Sequence, residues 1–364
     1  AVVTTPHIDS LAREGTLFVR AYATASVCSP ARAGLLTGRY QQRFGHENNT
    51  GTLARQKELG IGLPLGEQTL ADRLAAAGYA TGLVGKWHLG AADGFHPLER
   101  GFQSFFGHLG GGHDYGSWED PDNGPIYRDR EPVGGDAYLT DAFSDEAVRF
   151  ITEHADGPFF LLLSYNAIHE PYQAPQEYLR RFSRYEDRAR RVRAAMLAAV
   201  DDGVGRVLAA LAERGIEDDT LVVFVADNGP PKEAEELVPS PLRGGKLKLY
   251  ERGVRVPLLV RWPERFAAGR RVASAVSCLD LVPTCLEAAG LASGGGAAEA
   301  ALDGESLAGA LEPGAVRDRP FFWRQGVKAA ASDGRLKIIR KHTGVYEGYA
   351  VGEDPGERFG LDGG

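Results

Sequence analysis

Cysteine is scarce in this sequence: the 364 residues contain only Cys28, Cys278 and Cys285. Three thiols cannot form the even-numbered disulfide framework of a small secreted domain. No two of them have the close spacing and flanking ligands of a zinc site. The cysteine count therefore excludes a disulfide-rich or zinc-finger protein and leaves the cellular compartment open.

The sequence also lacks a long apolar run and an excess of positive charge. No stretch approaches the roughly 20 apolar residues that cross a bilayer, so we expect no membrane-spanning segment. The formal net charge is −8, whereas a general nucleic-acid binder is usually basic. Hydrophobic residues make up 43% and charged residues 25% of the chain, which is typical of a globular protein with a large core. We expect neither nucleic acid nor membrane as a partner.

Strand-forming and helical segments alternate along most of the chain. This order predicts an α/β fold with a largely parallel mixed sheet flanked by helices on both faces. The apolar runs 158–165 and 221–226 have strand length without alternation, so we expect strands buried on both faces. Short strands separated by turns near the end predict a small antiparallel-sheet subdomain. We therefore divide the chain into a large domain over 1–315 and a C-terminal subdomain over 316–364.

Local signals define further elements. A capped helix is predicted over 5–15 and a strand over 16–22. The helical stretch 186–214 contains Gly203 and Gly205, which should weaken its middle. Residues 90–135 show little periodicity, which favours a functional loop, and 291–300 favours a surface linker. The side chains expected to line an entrance in the loop are His108, His113, Asp114, Tyr115 and Trp118.

Polar side chains follow three predicted strands at the point where each strand ends. Lys86 and His88 follow the strand near 79–84, His169 follows 158–165, and Asp227-Asn228 follows 221–226. Because ligands bind outside the carboxyl ends of strands in such sheets, we expect these groups in one site. Lys86 and His88 are two residues apart and would point to the same side of an extended backbone.

Two of these groups also have a more ordinary interpretation. Asp227 and Asn228 offer neighbouring oxygen ligands, which suit a hard cation such as calcium better than zinc. Asp-Asn-Gly is, however, also a common turn. A lysine and a histidine in one cleft suit binding of a tetrahedral anion and proton transfer, but either can be a solvated residue at a strand end.

The stretch Cys28-Ser29-Pro30-Ala31-Arg32 indicates a helix start, with Ser29 as the cap and Pro30 in the first position. Arg32 lies four residues after Cys28, so the two side chains share one helix face. Unpaired N–H groups and the helix dipole make such a terminus suitable for an anion. An isolated cysteine here would more often be a small core residue.

This stretch continues as Leu-Thr-Gly-Arg through Arg39 and, with 5–15 upstream, resembles the activation motif of type I sulfatases in the alkaline phosphatase-like superfamily. The resemblance covers about residues 5–360. It implies that a formylglycine-generating enzyme oxidises Cys28 to formylglycine, whose hydrate attacks the sulfur of a sulfate ester. It also implies a bound Ca²⁺ at residue 28, Asp227 and Asn228.

The same resemblance assigns roles to the remaining polar residues. Gly-Lys-Trp-His-Leu-Gly around Lys86 matches a second sulfatase motif, so Lys86 would bind the sulfate and His88 would help expel it. His169 would be the general acid on the ester oxygen. The segment 242–246 resembles the motif of a second sulfate-binding lysine, which we assign to Lys246, with Lys248 as its neighbour and competitor. Arg32 completes the cations expected around a dianionic transition state.

One expected feature of the family is missing from the printed sequence. Family members begin with an apolar strand that ends in two acidic metal ligands, and nothing similar precedes Thr5. We therefore expect an N-terminally truncated chain that binds calcium weakly. Phosphate or phosphonate ester hydrolysis and non-catalytic binding of anions or glycans remain alternatives to sulfate release. The expected substrate is a sulfated carbohydrate or aryl sulfate, and a periplasmic or extracellular location follows by analogy alone.

Overall fold

The computed structural model describes residues 3–231, 240–291, 301–311 and 319–361. The chain forms two compact units. Unit 1 contains Ala1–Glu14, Thr50–Thr220 and Trp262–Arg265. Unit 2 contains Gly15–Asn49, Leu221–Arg261 and Phe266–Gly364.

The secondary structure alternates between strands and helices for most of the described chain. The strands are β1 (Thr16–Tyr22), β2 (Ala80–Lys86), β3 (Ser104–His108), β4 (Glu119–Asp120), β5 (Gly124–Arg128), β6 (Glu131–Val133), β7 (Phe159–Ser164), β8 (Val222–Val225), β9 (Arg255–Arg261), β10 (Arg270–Val272), β11 (Val276–Ser277), β12 (Phe321–Gln325), β13 (Lys328–Ser332), β14 (Lys337–Arg340) and β15 (Tyr346–Tyr349). The α-helices are α1 (Pro6–Glu14), α2 (Cys28–Thr37), α3 (Leu53–Leu59), α4 (Leu70–Ala76), α5 (Leu139–His154), α6 (Gln176–Arg181), α7 (Arg188–Glu213), α8 (Glu251–Val254) and α9 (Leu281–Ala288).

Unit 1 is built on a mixed sheet with the strand order β4-β5-β3-β2-β7, and β6 pairs with β5. The pairs β2–β3 and β2–β7 are parallel, which brings the carboxyl ends of these strands to one edge. A core cluster joins the sheet to α5 and α7 through Val84, Phe106, Phe143 and Met196. The parallel part of the sheet thus holds the segments that follow β2, β3 and β7.

Unit 2 contains two sheets. The larger has the order β10-β1-β9-β8 with β11 on β1, and mixes parallel and antiparallel pairs. The smaller is the antiparallel meander β12-β13-β14-β15. A core cluster joins the two sheets through residues such as Tyr22, Val254, Phe321 and Trp323. The indole Nε1–H of Trp323 donates to the carbonyl of Ala23 (2.7 Å), which fixes the meander against β1.

The predicted α/β class with a small antiparallel subdomain is confirmed. The helix over 5–15 is α1 and the strand over 16–22 is β1. Both were predictable because their caps, flanking glycine and alternation are local signals. The helix α7 runs unbroken through Gly203 and Gly205, because its alanine-rich face packs with Tyr178, Phe182 and Tyr185.

The prediction that the strands in 158–165 and 221–226 are buried on both faces was wrong. The side chains of β7 are half-buried except at Ser164, and all four of β8 are half-buried. Among the described residues β7 pairs only with β2 and β8 only with β9, so each strand ends its sheet. An apolar run shows strand formation but does not show a strand's place in the sheet.

Some predictions lie partly outside the described residues. The linker at 291–300 falls on 292–300, and the division near residue 315 falls on 312–318. The two-domain division therefore stays a prediction. Within the described ranges, no helix is both long enough and apolar enough to cross a membrane.

Candidate active site

The helix α2 begins at Cys28, whose exposure is 3%. Its N-cap is Val27 in extended conformation, so the prediction of a Ser29 cap with Pro30 in first position was wrong. Ser29 instead donates its backbone N–H to Asn49 Oδ1 (3.0 Å), and its hydroxyl lies 2.7 Å from His46 Nε2. Asn49, 20 positions away, therefore satisfies the Ser29 N–H at the helix terminus. The sequence had predicted that the N–H groups of this terminus would be open to an anion.

Arg32 is paired with a residue predicted to bind metal. Its Nε donates to Asp227 Oδ2 at 3.1 Å, with side-chain exposures of 14% and 25%. The segment before Asp227 is held close to α2, because Val225 and Ala226 pack in one cluster with Leu35. Two predicted site residues from distant parts of the sequence thus meet within unit 2.

Asn228 has a buried oxygen that fits a cation. Its Nδ2 donates to the carbonyl of Gly229 (2.8 Å), while its Oδ1 is buried and accepts no hydrogen bond from the described residues. A Cβ on Gly229 would lie 1.8 Å from the carbonyl oxygen of Arg252, so only glycine fits there. Two adjacent oxygen donors, one of them unsatisfied, match the ligands that calcium prefers.

The segment carrying Lys246 is tied to the residues before Cys28. The Lys246 N–H donates to the carbonyl of Pro230 (2.6 Å), and the Leu247 N–H donates to the carbonyl of Ser26 (2.9 Å). Leu247 has a φ of 70°, a left-handed conformation that turns the chain at this point. Lys246 is half-buried whereas Lys248 is exposed.

Arg243 anchors the start of this segment to the C-terminal meander. Its guanidinium donates to the hydroxyl of Tyr349 (2.9 Å) and to the carbonyl of Glu357 (3.2 Å). It also lies 4.1 Å from the ring centroid of Tyr250. The motif over 242–246 did not predict this anchoring role, because the hydrogen-bond partners of Arg243 are more than 100 residues away in sequence.

A buried ionic network lies behind the anchor. Lys337 Nζ is 3.0 Å from Glu251 Oε1 and 3.3 Å from Glu357 Oε1, and all three side chains are fully buried or nearly so. The Tyr22 hydroxyl donates to Glu251 Oε2 (3.0 Å), and Arg255 lies 3.5 Å from the same oxygen. Burial raises the pKa of Glu357 to about 7 because it outweighs the attraction of Lys337.

This raised pKa predicts a pH dependence of stability. The native state holds the Glu357 proton more tightly than the unfolded chain, so the stability it contributes at low pH is lost as pH rises from 4.5 to about 7. This difference in pKa between the native and unfolded states corresponds to a contribution to the free energy of unfolding on the order of 3 kcal/mol. We expect Glu357→Gln to remove this loss, so that the variant gains that amount relative to wild type between about pH 4 and pH 8.

Urea denaturation at both pH values measures the effect. Glu347→Gln is the matched control: despite burial, hydrogen bonds from Lys341 and Tyr250 lower the pKa of Glu347, so its replacement should cost stability at higher pH. A difference between wild type and Glu357→Gln that does not change with pH would contradict the prediction.

In unit 1, Lys86 is the last residue of β2, and its exposure is 2%. The hydroxyl of Ser164, at the end of the parallel neighbour β7, donates to the Lys86 carbonyl (2.7 Å). This bond fixes the backbone at the edge where the parallel strands end. A lysine is seldom this deeply buried unless its ammonium group is paired, so the burial of Lys86 makes it a candidate site residue.

His88 does not continue the strand. Its φ is 63°, so the prediction that Lys86 and His88 share one side of an extended backbone was wrong. The His88 N–H donates to the carbonyl of Leu109 (3.2 Å), which turns the chain out of the β2 direction. The ring is buried with an exposure of 4%.

A glycine segment brings His88 and His169 together. A Cβ on Gly111 would lie 2.7 Å from His88 Nε2, and a Cβ on Gly112 would lie 3.5 Å from His169 Nδ1. Both predicted histidines therefore contact adjacent residues of one loop. The run Gly110–Gly112 was a signal available in the sequence that our prediction did not use.

His169 is oriented by backbone contacts on both sides. Its Nδ1 lies 2.8 Å from the carbonyl of Glu170; because a carbonyl only accepts, Nδ1 carries a proton in this contact. The Tyr115 hydroxyl donates to the His169 carbonyl (2.9 Å). Burial raises the pKa of Tyr115 well above its ordinary 10, so it stays a hydrogen-bond donor.

The expectation that the aromatic loop residues line an entrance was wrong for most of them. His108, His113 and Tyr115 are wholly buried. His113 reaches the carbonyls of Asp114 (2.7 Å) and Gly124 (2.9 Å) with its two nitrogens, and Trp118 Nε1 donates to Ala137. Because these side chains are buried or bonded to the backbone, their polar groups are not open to a ligand. They hold the loop together instead.

A third polar cluster lies in unit 1, where ligand atoms of His7, Asp201 and Asp202 fall within 4.8 Å of one another. The Asp201 carboxylate accepts from the N–H groups of His7 (3.1 Å) and Ile8 (2.8 Å), which caps α1. Asp202 is paired with Arg181 at 2.6 Å. These contacts account for both carboxylates, and the cluster has a structural role.

Comparison with known proteins defines the class. A family model described as Sulfatase matches residues 1–291. The chain belongs to the sulfatase family, within the alkaline phosphatase-like superfamily, and is a sulfuric ester hydrolase by class. The identification from the sequence is thereby confirmed.

Particular relatives extend over nearly the whole chain. It is 35% identical to N-acetylgalactosamine-6-sulfatase of Mus musculus, over 97% of this chain and 71% of the relative. The Homo sapiens enzyme of the same name is 34% identical, over 98% of this chain and 76% of the relative. The solved structure of Ps i-CgsB in complex with k-i-k-neocarrahexaose is 32% identical with a TM-score of 0.90, covering 99% of this chain and 83% of that chain.

Proposed function

We propose that the protein releases sulfate from a sulfated carbohydrate, using a formylglycine formed from Cys28 by a formylglycine-generating enzyme. The observation that carries the proposal is the grouping within unit 2. Arg32 pairs with Asp227, and the segment of Lys246 is bonded to Ser26, two residues before Cys28. Relatives named for sulfated sugars and a neighbour solved with an oligosaccharide favour a carbohydrate over an aryl sulfate.

Calcium is the metal that Asp227 and Asn228 would hold together with residue 28. When bound, it would supply positive charge that activates the nucleophile and neutralises sulfate oxygens. The unsatisfied Asn228 Oδ1 and the hard oxygen donors support this choice. The hydrogen bond from Arg32 Nε would then orient the Asp227 carboxylate.

The other residues divide the remaining tasks. We assign sulfate binding to Arg32, Lys86 and Lys246, because cations stabilise the charge that develops on sulfate oxygens. In its imidazolium form, His169 would donate the Nε2 proton to the leaving oxygen and keep the Nδ1 proton that is bonded to the Glu170 carbonyl. His88 removes the proton that allows sulfate to leave residue 28. That these residues act in one site stays a prediction.

The mass of the tryptic peptide containing residue 28 tests the proposal. After co-expression with a formylglycine-generating enzyme, we expect the mass of formylglycine at this position and sulfate release from a chromogenic aryl sulfate. Protein expressed without that enzyme, carrying cysteine, is the control. Formylglycine at residue 28 without turnover of any sulfate ester would contradict the proposed activity.

Calcium binding is expected to depend on Asn228. With Asp227, Asn228 and residue 28 as the only assigned ligands, the dissociation constant should be on the order of 10⁻⁴ to 10⁻³ M. Asn228→Ala should abolish the binding heat in calorimetry, because it removes the unsatisfied Oδ1. The exposed Asn48→Ala is the control. Tight stoichiometric binding, or binding that survives Asn228→Ala, would mean that the ligands are misassigned.

Gly111→Ala should impair turnover without unfolding the protein. The new Cβ would lie 2.7 Å from His88 Nε2, so the buried ring must move. We expect kcat to fall at least about tenfold, since small displacements of a catalytic group are costly. Gly116→Ala, in the same loop with only Asp114 Oδ1 within 4 Å, is the matched control. Equal activity of the two variants would remove His88 from the proposed mechanism.

A further inference from the structure

An arginine-rich segment lies outside the residues assigned to catalysis. Residues 180–193 contain seven arginines against two acids, Glu186 and Asp187, which gives this segment a net charge of +5. The whole chain has a net charge of −8. The segment is therefore a local concentration of positive charge on a protein whose net charge is negative.

Three of these arginines face solvent without a carboxylate partner among the described residues. They are Arg180, Arg184 and Arg188, all exposed. Arg181 differs, because its guanidinium is paired with Asp202 at 2.6 Å. Arg180, Arg184 and Arg188 lie in one stretch that runs from the end of α6 to the first residue of α7.

A packed aromatic base supports this stretch. The rings of Phe182 and Tyr185 are stacked with centroids 6.0 Å apart and planes within 4°. The guanidinium of Arg184 lies 5.5 Å and that of Arg190 lies 4.9 Å from the Tyr185 centroid. Both rings belong to the buried cluster that joins the segment to α7. The backbone that displays the arginines is thus fixed by core packing.

A fourth arginine connects the segment to the candidate site in unit 1. Arg193 is buried, with 8% exposure, and its guanidinium lies 4.6 Å from the Tyr172 centroid. Tyr172 is three residues after His169. On α7, Arg193 is one turn beyond Arg190, so the positive charge continues along the helix toward the loop of His169.

We propose that Arg180, Arg184 and Arg188 form a second binding site for an anionic polysaccharide chain, which holds the polymer while one of its sulfate esters is hydrolysed. That the polymer is a sulfated polysaccharide rests on the proposed function. Guanidinium groups suit this role because their planar fork donates two parallel hydrogen bonds to sulfate or carboxylate oxygens. Several weak charges spaced along one segment favour a repeating polyanion over a single small anion.

Binding of dextran sulfate to protein carrying unmodified Cys28 tests the site without turnover. The triple variant Arg180→Gln/Arg184→Gln/Arg188→Gln should raise the dissociation constant about tenfold at low salt, because each exposed pair contributes about twofold. Its binding should also depend less on ionic strength than that of wild type. The matched control replaces Arg13, Arg55 and Arg214, all exposed in unit 1, and should change the constant less than twofold.

The outcomes separate this site from the proposed activity. Hydrolysis of a small aryl sulfate by the formylglycine-containing enzyme should be equal in wild type and both triple variants. Absence of this hydrolysis in wild type would contradict the proposed sulfatase activity but would leave the arginine site untouched. If the control variant lost as much affinity for dextran sulfate as the Arg180/Arg184/Arg188 variant, the proposed site would be wrong, because the loss would then follow from the change in net charge. Equally tight binding of unsulfated dextran, or of single-stranded DNA of matched charge, would overturn the assignment to an anionic polysaccharide.

Discussion

Replacing Cys28 by alanine is expected to abolish sulfate release, with kcat/KM at least about 10⁴-fold below that of the modified wild type. The side chain at this position is the precursor of the proposed nucleophile, and alanine cannot be oxidised to an aldehyde. Cys28→Ala should still fold, because it removes one sulfur atom from the first position of a helix. The measurement is initial-rate hydrolysis of a chromogenic aryl sulfate after co-expression with the modifying enzyme.

Cys285→Ala is the matched control for thiol loss. Burial raises the pKa of the Cys285 and Cys278 thiols to about 12, so both stay protonated and unreactive. The control should keep wild-type turnover and carry the same mass change at residue 28. Residual activity of Cys28→Ala above about 1% of wild type would show that another group attacks the ester.

Replacing Lys337 by methionine is expected to lower the free energy of unfolding by about 3–5 kcal/mol at neutral pH. The change leaves the carboxylates of Glu251 and Glu357 buried without their shared cation, which lies 3.0 and 3.3 Å from them. It also removes the charge that lies 5.4 Å from the Trp323 ring centroid. Urea denaturation monitored by tryptophan fluorescence measures the loss.

Lys341→Met provides the control on the same meander. Lys341 is paired with Glu347 at 2.5 Å, but its side chain is 37% exposed, so its loss should cost less than about 1 kcal/mol. Adding Glu357→Gln to Lys337→Met should recover part of the lost stability, since one buried charge is removed. A Lys337→Met variant as stable as the control would mean that water reaches the network.

Beyond stability, the network connects to the proposed chemistry through backbone geometry. The carboxylate of Glu357 accepts from the Glu251 N–H (2.7 Å), while its carbonyl accepts from Arg243. Arg243 begins the segment that carries Lys246. The C-terminal meander thus fixes a loop of the candidate site, which gives this subdomain a positioning role that its sequence did not reveal.

The sequence by itself determined the family and the positions of its motifs. The Cys28–Arg39 run, the Lys86 motif and Asp227-Asn228 are short contiguous patterns, and the family model matches the chain that contains them. Caps and alternation likewise predicted α1, β1 and most of the meander. These features were predictable because their signals are carried by neighbouring residues.

Only the tertiary structure decided how those motifs are completed. The Ser29 N–H meets Asn49, Arg32 meets Asp227, and Arg193 is buried against Tyr172. The left-handed turn at His88 and the half-burial of β7 and β8 likewise follow from neighbouring strands and loops. Contacts between residues tens to hundreds of positions apart leave no periodic trace in the sequence, because burial and partner choice are properties of the packed chain.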